Sequence, residues 1–272
     1  MSIADQFRQL HDNSTPLRLP NVWDAGSARL AEAQGAHAIA TTSAGFAWAL
    51  GYQDGRVLPF DEVVASVRRI VRVLNVPLSV DIENGYSDDP QTVAHHVMQL
   101  VELGIAGINI EDGRDAPSLL AEKIRAIWEA VSKAGADLFI NARSDVFLAN
   151  LVDKPRQAHE AIARGDLYAA AGADGLFLPA LAKPADIAAI VSAITVPLNL
   201  MAVPGLPDAA TLGQLGVRRL SAGGAISQIV LQTAKTWMQD FLQDGRSDGL
   251  YDKALPYAEI QALFAGLATQ SD

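Results

Sequence analysis

The chain has 272 residues, half of them hydrophobic, and it contains no cysteine. This length and hydrophobic content suffice for one large domain with an extensive core and lie in the size range of an α/β barrel. The formal net charge of -10 disfavours nonspecific binding to nucleic acid or to an anionic membrane. The absence of cysteine excludes disulfides, thiolate metal sites and cysteine nucleophiles.

The N-terminal segment lacks the apolar stretch of a signal peptide, and no apolar run reaches the length that spans a membrane. We therefore expect a cytoplasmic protein that binds neither nucleic acid nor membrane.

A pattern recurs along the chain: an amphipathic stretch ends at a glycine, a short apolar strand follows, and polar residues close the strand. Glycine suits the left-handed position that ends a helix. Two strands follow Val-Pro instead, and a further candidate lies near the N-terminus. The segments that contain the eight predicted strands are residues 17–22, 35–42, 76–81, 104–111, 135–143, 172–179, 196–201 and 216–223.

Helices are predicted between these strands. Their expected bounds are residues 27–34, 61–74, 90–103, 118–134, 154–171, 184–193, 208–215 and 225–242, with a final helix near 256–267. Apolar strands that alternate with helices indicate a parallel sheet covered on both faces. Eight such units favour a (β/α)8 TIM-type barrel over an open doubly wound sheet. We expect a single α/β barrel domain over residues 1–272, in which the barrel covers about residues 17–244 and a C-terminal helical extension covers about 245–272.

Carboxylates collect where two of the predicted strands end. Asp81 and Glu83 are two residues apart, so in extended chain their side chains point the same way, and Glu111 ends the next strand. Crowded carboxylates repel each other and are costly to desolvate, and a hard divalent cation with oxygen ligands relieves both effects. The alternative is a set of solvated acids at strand ends.

Arg143 ends the fifth strand and supplies a cation on the same edge of the predicted barrel. Its planar guanidinium fits a substrate carboxylate through two parallel hydrogen bonds. The alternative is a structural ion pair with Asp145 or Glu111. We interpret Asp112 as a helix-capping or salt-bridge residue rather than a catalytic one.

The order and spacing of six segments resemble the isocitrate lyase and phosphoenolpyruvate mutase superfamily, between about residues 19 and 242. These segments are residues 21–29, 42–45, 51–54, 81–86, 107–112 and 141–143. The resemblance implies a barrel that depends on Mg²⁺, with Mn²⁺ as a substitute, and acts on 2-oxo acids or 2-hydroxy di- and tricarboxylates through an enolate. It also implies a homodimer or homotetramer that exchanges the last barrel helix between subunits.

The resemblance also implies metal-binding roles for four carboxylates. Asp81 corresponds to the direct magnesium ligand, while Asp54, Glu83 and Glu111 fall where carboxylates hold the water ligands of the ion. The family usually has aspartate at the position of Glu83. An inner shell with few carboxylates and several waters is what Mg²⁺ prefers.

Substrate-binding roles follow in the same way. Thr42, Ser43 and Ala44 match the segment that grips the carboxylate and the oxo oxygen of the substrate, and Arg143 matches the arginine that polarises the 2-oxo carboxylate. For the two hydroxyls, the alternative is that they only satisfy the backbone of a turn. The catalytic residues that we predict are Arg143, Asp54 and Glu111.

The sequence also departs from the superfamily. The lyases carry Lys-Lys-Cys-Gly-His after the fourth strand, whereas residues 113–118 here read Gly-Arg-Asp-Ala-Pro-Ser. The phosphorus-transfer branches have a longer loop there, and they have histidine where Pro179 stands. We therefore expect a carbon-carbon lyase or decarboxylase for a small 2-oxo acid or 2-hydroxy dicarboxylate. The alternatives are phosphonopyruvate-type carbon-phosphorus chemistry and 2-oxo acid binding without turnover.

Overall fold

The computed structural model describes residues 1–267, and within them nine strands form one fully parallel sheet. The strands are β1 (Leu17–Leu19), β2 (Asn21–Val22), β3 (Ile39–Thr41), β4 (Leu78–Asp81), β5 (Gly107–Glu111), β6 (Phe139–Arg143), β7 (Gly175–Phe177), β8 (Leu198–Met201) and β9 (Arg219–Ser221). Their spatial order is β1-β9-β8-β7-β6-β5-β4-β3-β2.

The first strand segment closes this sheet into a barrel. β1 and β2 are consecutive pieces of chain separated at Pro20, which has no backbone N–H to donate to a ladder. β1 pairs with β9 and β2 pairs with β3, so the two ends of the sheet meet in one stretch of chain. The predicted TIM-type α/β fold is confirmed.

Twelve α-helices surround the barrel or extend from it within residues 1–267. They are α1 (Ile3–Gln9), α2 (Ala25–Ala33), α3 (Ser43–Ala49), α4 (Phe60–Val71), α5 (Pro90–Glu102), α6 (Pro117–Lys133), α7 (Gln157–Ala171), α8 (Pro184–Ala193), α9 (Ala209–Gln214), α10 (Ala225–Asp244), α11 (Asp248–Asp252) and α12 (Tyr257–Phe264). None of them is long and apolar enough to cross a membrane.

Each predicted helix corresponds to an observed one, with ends that differ by a few residues. The predictions missed α1, α3 and α11, which have seven, seven and five residues. Helices this short carry little periodic signal, and tertiary packing decides whether they form. Residues 268–272 of the predicted C-terminal extension lie outside the described part of the chain.

Alternation along the strands separates an apolar layer from a polar one. Val80 and Ile108 point outward and belong to the core between sheet and helices. The residues next to them on the same strands, such as Ser79 and Asn109, point inward and are buried polar side chains. The outer layer therefore supplies most of the apolar burial, and the barrel interior is free to carry polar groups.

Helix α1 covers the end of the barrel where the strands begin. Phe7 is fully buried, and its ring meets the ring of Phe139 edge to face with 5.3 Å between centroids. His11 stacks on Phe139 at 4.5 Å. Arg8 holds the helix in place through Asp137 at 3.1 Å and through Asp174 at 3.3 Å. This end is closed, so the opposite end is the one that offers access.

Helix α10 leaves one side of the barrel uncovered. A groove of about 950 Å³ runs between the N-terminal segment, β2, α2 and the first turns of α10, with Leu30, Ile226 and Val230 among its lining residues. Beyond this groove, α10 extends outward with apolar side chains in solvent. Its exposed apolar residues are Ile226, Ile229, Val230, Leu231, Met238, Phe241 and Leu242.

The burial of His11 predicts a dependence of stability on pH. Burial and the charge of Arg219 lower the pKa of His11 to about 3. The unfolded chain binds a proton at this residue below about pH 6.5, while the folded chain does not. Stability should therefore fall with pH between about 6.5 and 3, by up to about 1.4 kcal/mol per pH unit from this residue.

The measurement is the free energy of unfolding in urea at pH 7, 6 and 5. H11F should lose stability less steeply with falling pH than the wild type, because phenylalanine cannot take up the proton. His95 is exposed, so H95F should keep the wild-type slope. Equal slopes for H11F and wild type would show that His11 does not resist protonation.

Candidate active site

Three adjacent strands bring charged residues to the open end of the barrel. β4 ends at Asp81, β5 at Glu111 and β6 at Arg143. Glu111 and Arg143 are direct partners in the parallel register of β5 and β6. The side chains predicted at strand ends thus lie along one edge of the sheet, where the active sites of such barrels are found.

Asp81 is bound to the start of α3. The hydroxyl of Ser43 donates to its carboxylate at 3.1 Å, and the backbone N–H of Ser43 lies 3.4 Å from the same oxygen. The N–H of Glu83 reaches the other carboxylate oxygen at 3.3 Å. The backbone N–H of Asp81 donates to the hydroxyl of Thr41 at 2.9 Å, which fixes the strand end.

The predicted substrate segment begins α3 instead of ending a strand. Thr42 is the N-cap residue, but its side chain makes no capping hydrogen bond, and Ser43 and Ala44 form the first turn. Because the Ser43 hydroxyl contacts Asp81, it does more than satisfy a turn. Gly45 allows the first turn of α3 to pack closely against Trp23, since a Cβ at Gly45 would lie 2.8 Å from the Cβ of Trp23.

Glu83 is held by the loop that follows β4. The strand ends at Asp81, and Glu83 has a left-handed φ of 49°, so the expected alternation with Asp81 does not extend to it. One carboxylate oxygen accepts the backbone N–H of Arg56, and the other accepts the Tyr86 hydroxyl at 3.0 Å. Glu83 is only 5% exposed, which excludes the alternative of a solvated acid at this position.

Arg143 forms ion pairs with both carboxylates that the sequence offered as alternatives. Its Nη1 lies 2.6 Å from Glu111, while Nε and Nη2 bind the two oxygens of Asp145 at 2.7 and 3.1 Å. The ring of Phe177 lies 5.8 Å from the guanidinium carbon. Asp145 thus holds the guanidinium in a fixed plane, and the Glu111 pair occupies its remaining edge.

Asp54 lies in the exposed loop between α3 and α4. Burial of its carboxyl group and the charge of Asp81 raise the pKa of Asp54. Arg143 and the hydroxyl of Ser43 oppose this rise. The charge of Asp81 therefore acts on Asp54, and the loop contributes a carboxylate to the electrostatics of the same end of the barrel.

The carboxylates of the site carry more negative charge than their surroundings balance. Burial, followed by the neighbouring charges, raises the pKa of Glu83, with Asp81 and Asp54 among the causes. Burial also raises the pKa of Glu111, with contributions from Asp81, Asp145 and Glu83, although Arg143 opposes them. A divalent cation would lower the repulsion that these shifts reflect.

The donor chemistry fits a hard cation, because every candidate ligand is a carboxylate oxygen. Residues 1–267 contain no group of three or more His, Asp or Glu side chains close enough together to hold a metal ion directly. An ion at this end of the barrel would therefore need water molecules to complete its ligand shell. The carboxylates do not fit a dry cage built from protein ligands alone.

Asp112 is the centre of a buried network that supports the site. Its carboxylate accepts hydrogen bonds from Ser144 at 2.7 Å, Tyr168 at 2.6 Å and Arg164 at 2.8 Å, and from the backbone N–H of Asp145 at 2.9 Å. The interpretation of Asp112 as a salt-bridge residue is confirmed. Sequence reasoning did not find its partners on α7, which lie about 50 residues away along the chain.

The loop after β5 is short, as expected, and spans residues 112–116 before α6 begins. Asp115 in this loop pairs with Arg56 at 3.1 Å, so the loop is tied to the one that carries Asp54. Pro179 is buried after β7 and offers no titratable group there. The two departures from the superfamily pattern thus lie at the edge of the site.

Fold and site together define a member of a known group of barrel enzymes. A family model described as phosphoenolpyruvate phosphomutase matches residues 7–242. The chain belongs to this family, within the isocitrate lyase and phosphoenolpyruvate mutase superfamily, whose members are lyases, mutases or hydrolases.

Individual relatives cover most of the chain. An uncharacterized protein of Mycobacterium tuberculosis is 37% identical over 261 residues, which are 94% of this chain and 95% of that protein. An oxaloacetate decarboxylase of Paraburkholderia xenovorans is 32% identical over 248 residues, a match that covers 86% of this chain and 80% of that protein. The crystal structure of a 2,3-dimethylmalate lyase has a TM-score of 0.86 at 24% identity and covers 97% of this chain and 95% of its own, which supports the fold.

The Asp112 network predicts a large loss of stability in D112N. Asparagine removes the charge that Arg164 pairs with, and a buried pair that loses one partner costs about 3 kcal/mol or more. Glu160 also pairs with Arg164 at 2.8 Å but is 27% exposed at its side chain, so E160Q should cost less than about 1 kcal/mol. Equilibrium unfolding in urea measures both values, and equal small losses would contradict the central role of Asp112.

Proposed function

We propose that the protein is a carbon-carbon lyase or decarboxylase that requires Mg²⁺ and acts on a small 2-oxo acid or 2-hydroxy dicarboxylate through an enolate. The observation that carries the proposal is the arrangement at the end of β4, β5 and β6. Asp81, Glu111 and Arg143 share one edge of the barrel, with the N-terminus of α3 bound to Asp81.

In this proposal Asp81 would bind the metal directly, and Asp54, Glu83 and Glu111 would hold its water ligands. Mn²⁺ is the expected substitute, because it accepts the same oxygen ligands. When bound, the ion supplies a positive charge that stabilises negative charge on the oxo oxygen of the substrate. Its preference for water ligands agrees with a set of carboxylates that do not form a closed cage.

Arg143 would bind the carboxylate next to the oxo group. Asp145 already holds Nε and Nη2, so the edge available to a substrate is the one that Glu111 occupies through Nη1. A substrate carboxylate that takes this position would release Glu111 from its ion pair. The Ser43 hydroxyl and the backbone N–H groups at the start of α3, with Thr42 and Ala44, would orient the oxo oxygen from the other side.

Oxaloacetate is the first substrate to test, because the oxaloacetate decarboxylase of Paraburkholderia xenovorans is similar in sequence to this chain over most of its length. The bond between carbons three and four would break, and its electron pair would form the enolate as carbon dioxide leaves. Protonation of carbon three would then give pyruvate. The partly buried guanidinium of Arg143 would stabilise the developing charge without any covalent intermediate.

The test is a screen of small 2-oxo and 2-hydroxy acids for pyruvate formation with and without Mg²⁺, against a blank without enzyme. We expect pyruvate only with the metal, and D81A should reduce kcat/KM by more than about 100-fold because it removes the direct ligand. Asp88 is exposed and lies outside the site, so D88N should keep wild-type activity.

Three outcomes separate the alternatives. Unchanged turnover in D81A would rule out the metal assignment. Release of phosphate from phosphonopyruvate would indicate carbon-phosphorus chemistry instead. Calorimetric binding of oxaloacetate without any product would indicate a barrel that binds 2-oxo acids but no longer turns them over.

We also propose that residues 1–272 form a single domain with the barrel over about residues 17–244, and that the protein is a homodimer or homotetramer built through α10. In a (β/α)8 barrel each strand is covered by a helix, but here an apolar groove remains beside α2 and β2. Apolar residues on α10 repeat at helical spacing and remain exposed, with Met238 at 64% and Leu242 at 83%. Exchange of α10 between subunits would cover both surfaces.

This proposal predicts that charges on the apolar stripe of α10 dissociate the oligomer. M238E with L242E places two carboxylates where a subunit contact is expected, and burying them unpaired is costly. Light scattering after gel filtration should show a dimer or tetramer for the wild type and a smaller species for this variant. Q239E with Q243E adds the same charge beside the stripe and should keep the wild-type mass. A monomeric wild type would refute the proposal.

A further inference from the structure

A buried arginine crosses the interior of the barrel directly below the candidate active site. Arg219 begins β9, yet its Nη2 donates to Ser79 on β4 at 3.3 Å and to Asn109 on β5 at 3.1 Å. Neither of these strands is a neighbour of β9 in the sheet. The side chain therefore reaches across the barrel, and it is only 1% exposed.

The side chains that contact Arg219 are uncharged. Asn141 donates to Asn109 at 2.9 Å and to Asn199 at 3.0 Å, which completes a layer of amides around the guanidinium. The ring of Phe7 lies 5.5 Å from the guanidinium carbon on the closed side of the barrel. Within residues 1–267, Arg219 makes no salt bridge with a carboxylate, and its Nε and Nη1 have no protein partner.

A buried guanidinium without a carboxylate partner, such as that of Arg219, reduces the stability of the fold. A neutral partner, whether an amide or a water, satisfies a hydrogen bond but does not cancel a charge, and an unpaired buried charge is strongly unfavourable. Burial lowers the pKa of the Arg219 guanidinium to about 9, so it still carries its charge at neutral pH. Burial and Arg219 keep the nearby His11 neutral. Among residues 1–267, no group on the closed side of the barrel therefore explains the charge of Arg219.

The carboxylates at the open end of the barrel offer a reason for the buried charge of Arg219. The layer around Arg219 lies two residues before the site residues on the same strands: Ser79 precedes Asp81, and Asn109 precedes Glu111. Burial lowers the pKa of Arg219, and the charge of Asp81 opposes this change. In the part of the chain that the structure describes, the site above Arg219 contains the carboxylates of Asp54, Asp81, Glu83, Glu111 and Asp145, and the guanidinium that pairs with two of them is that of Arg143.

We propose that Arg219 is a positioning residue that supplies a permanent positive charge beneath the active site and thereby favours binding of an anionic substrate. The inference rests on the proposed function, since it assumes that the site binds a cation and a carboxylate. A 2-oxo acid must approach a surface with an excess of carboxylates, and even a divalent ion does not offset all of them. Arg219 reduces the remaining repulsion without touching the substrate.

The charge should act with opposite sign on the two ligands. A fixed cation attracts the substrate carboxylate and repels Mg²⁺. In R219M, Mg²⁺ should bind about 5-fold more tightly, and oxalate, a planar dianion that resembles an enolate of a 2-oxo acid, should bind about 5-fold more weakly at saturating Mg²⁺. A general loosening of the structure would weaken both ligands, so opposite changes are the signature of a charge.

The experiment is a calorimetric titration of the full chain, first with MgCl2 and then with oxalate at saturating MgCl2. R219K keeps the charge and should restore both affinities toward wild type. Arg218 is the neighbouring residue and points away from the barrel interior, where it lines a separate surface cavity, so R218M should leave both affinities unchanged. If R219M fails to fold, N109D provides the second test, because it neutralises Arg219 in place and should give the same opposite changes.

The outcomes separate this inference from the proposed function. A wild type that binds both ligands, with the same affinities in R219M and N109D, would overturn the role of Arg219 and leave the proposed function intact. Parallel weakening of both ligands in these variants would show a structural role and would also overturn it. A wild type that binds neither Mg²⁺ nor oxalate would refute the proposed function and this inference with it.

Discussion

The ion pairs of Arg143 are the interaction on which the candidate site depends. A closed parallel barrel brings every strand to an end at the same rim, so acids that follow different strands must meet there. Without a cation among them, Glu111 and Asp145 would repel each other and Asp81. Arg143 binds Glu111 at 2.6 Å and Asp145 at 2.7 Å, and these contacts hold the ends of β5 and β6 together.

Residues outside the barrel stabilise the contact between Arg143 and Asp145. Asp112 binds the backbone N–H of Asp145, and Arg164 and Tyr168 on α7 hold Asp112 in turn. A rigid helix outside the barrel therefore fixes the plane of the guanidinium inside it. Such second-layer contacts keep a site in position before any ligand arrives, which lowers the cost of ordering it during binding.

The sequence predicts the barrel well because its signals are local and repeated. Glycine, an apolar strand and a polar end recur often enough to indicate eight parallel strands, and Asp81, Glu111 and Arg143 follow from their places at strand ends. Contacts that depend on distant chain segments are not predictable in this way. The left-handed backbone at Glu83 broke the alternation rule, and nothing near Arg219 in sequence indicates that it crosses the barrel to reach Asn109.

The apolar shell between strands and helices is separate from the polar interior of the barrel. This separation explains why the fold is easier to predict from the sequence than the reaction. Stability comes mainly from the apolar shell between the strands and helices, to which Val80 and Ile108 belong. The interior and the rim can therefore exchange polar residues at small cost to the barrel. The short loop 112–116 and the buried Pro179 are changes of this kind. One apolar shell can thus support lyases, mutases and hydrolases, and the identity of the substrate depends on a few side chains at the rim.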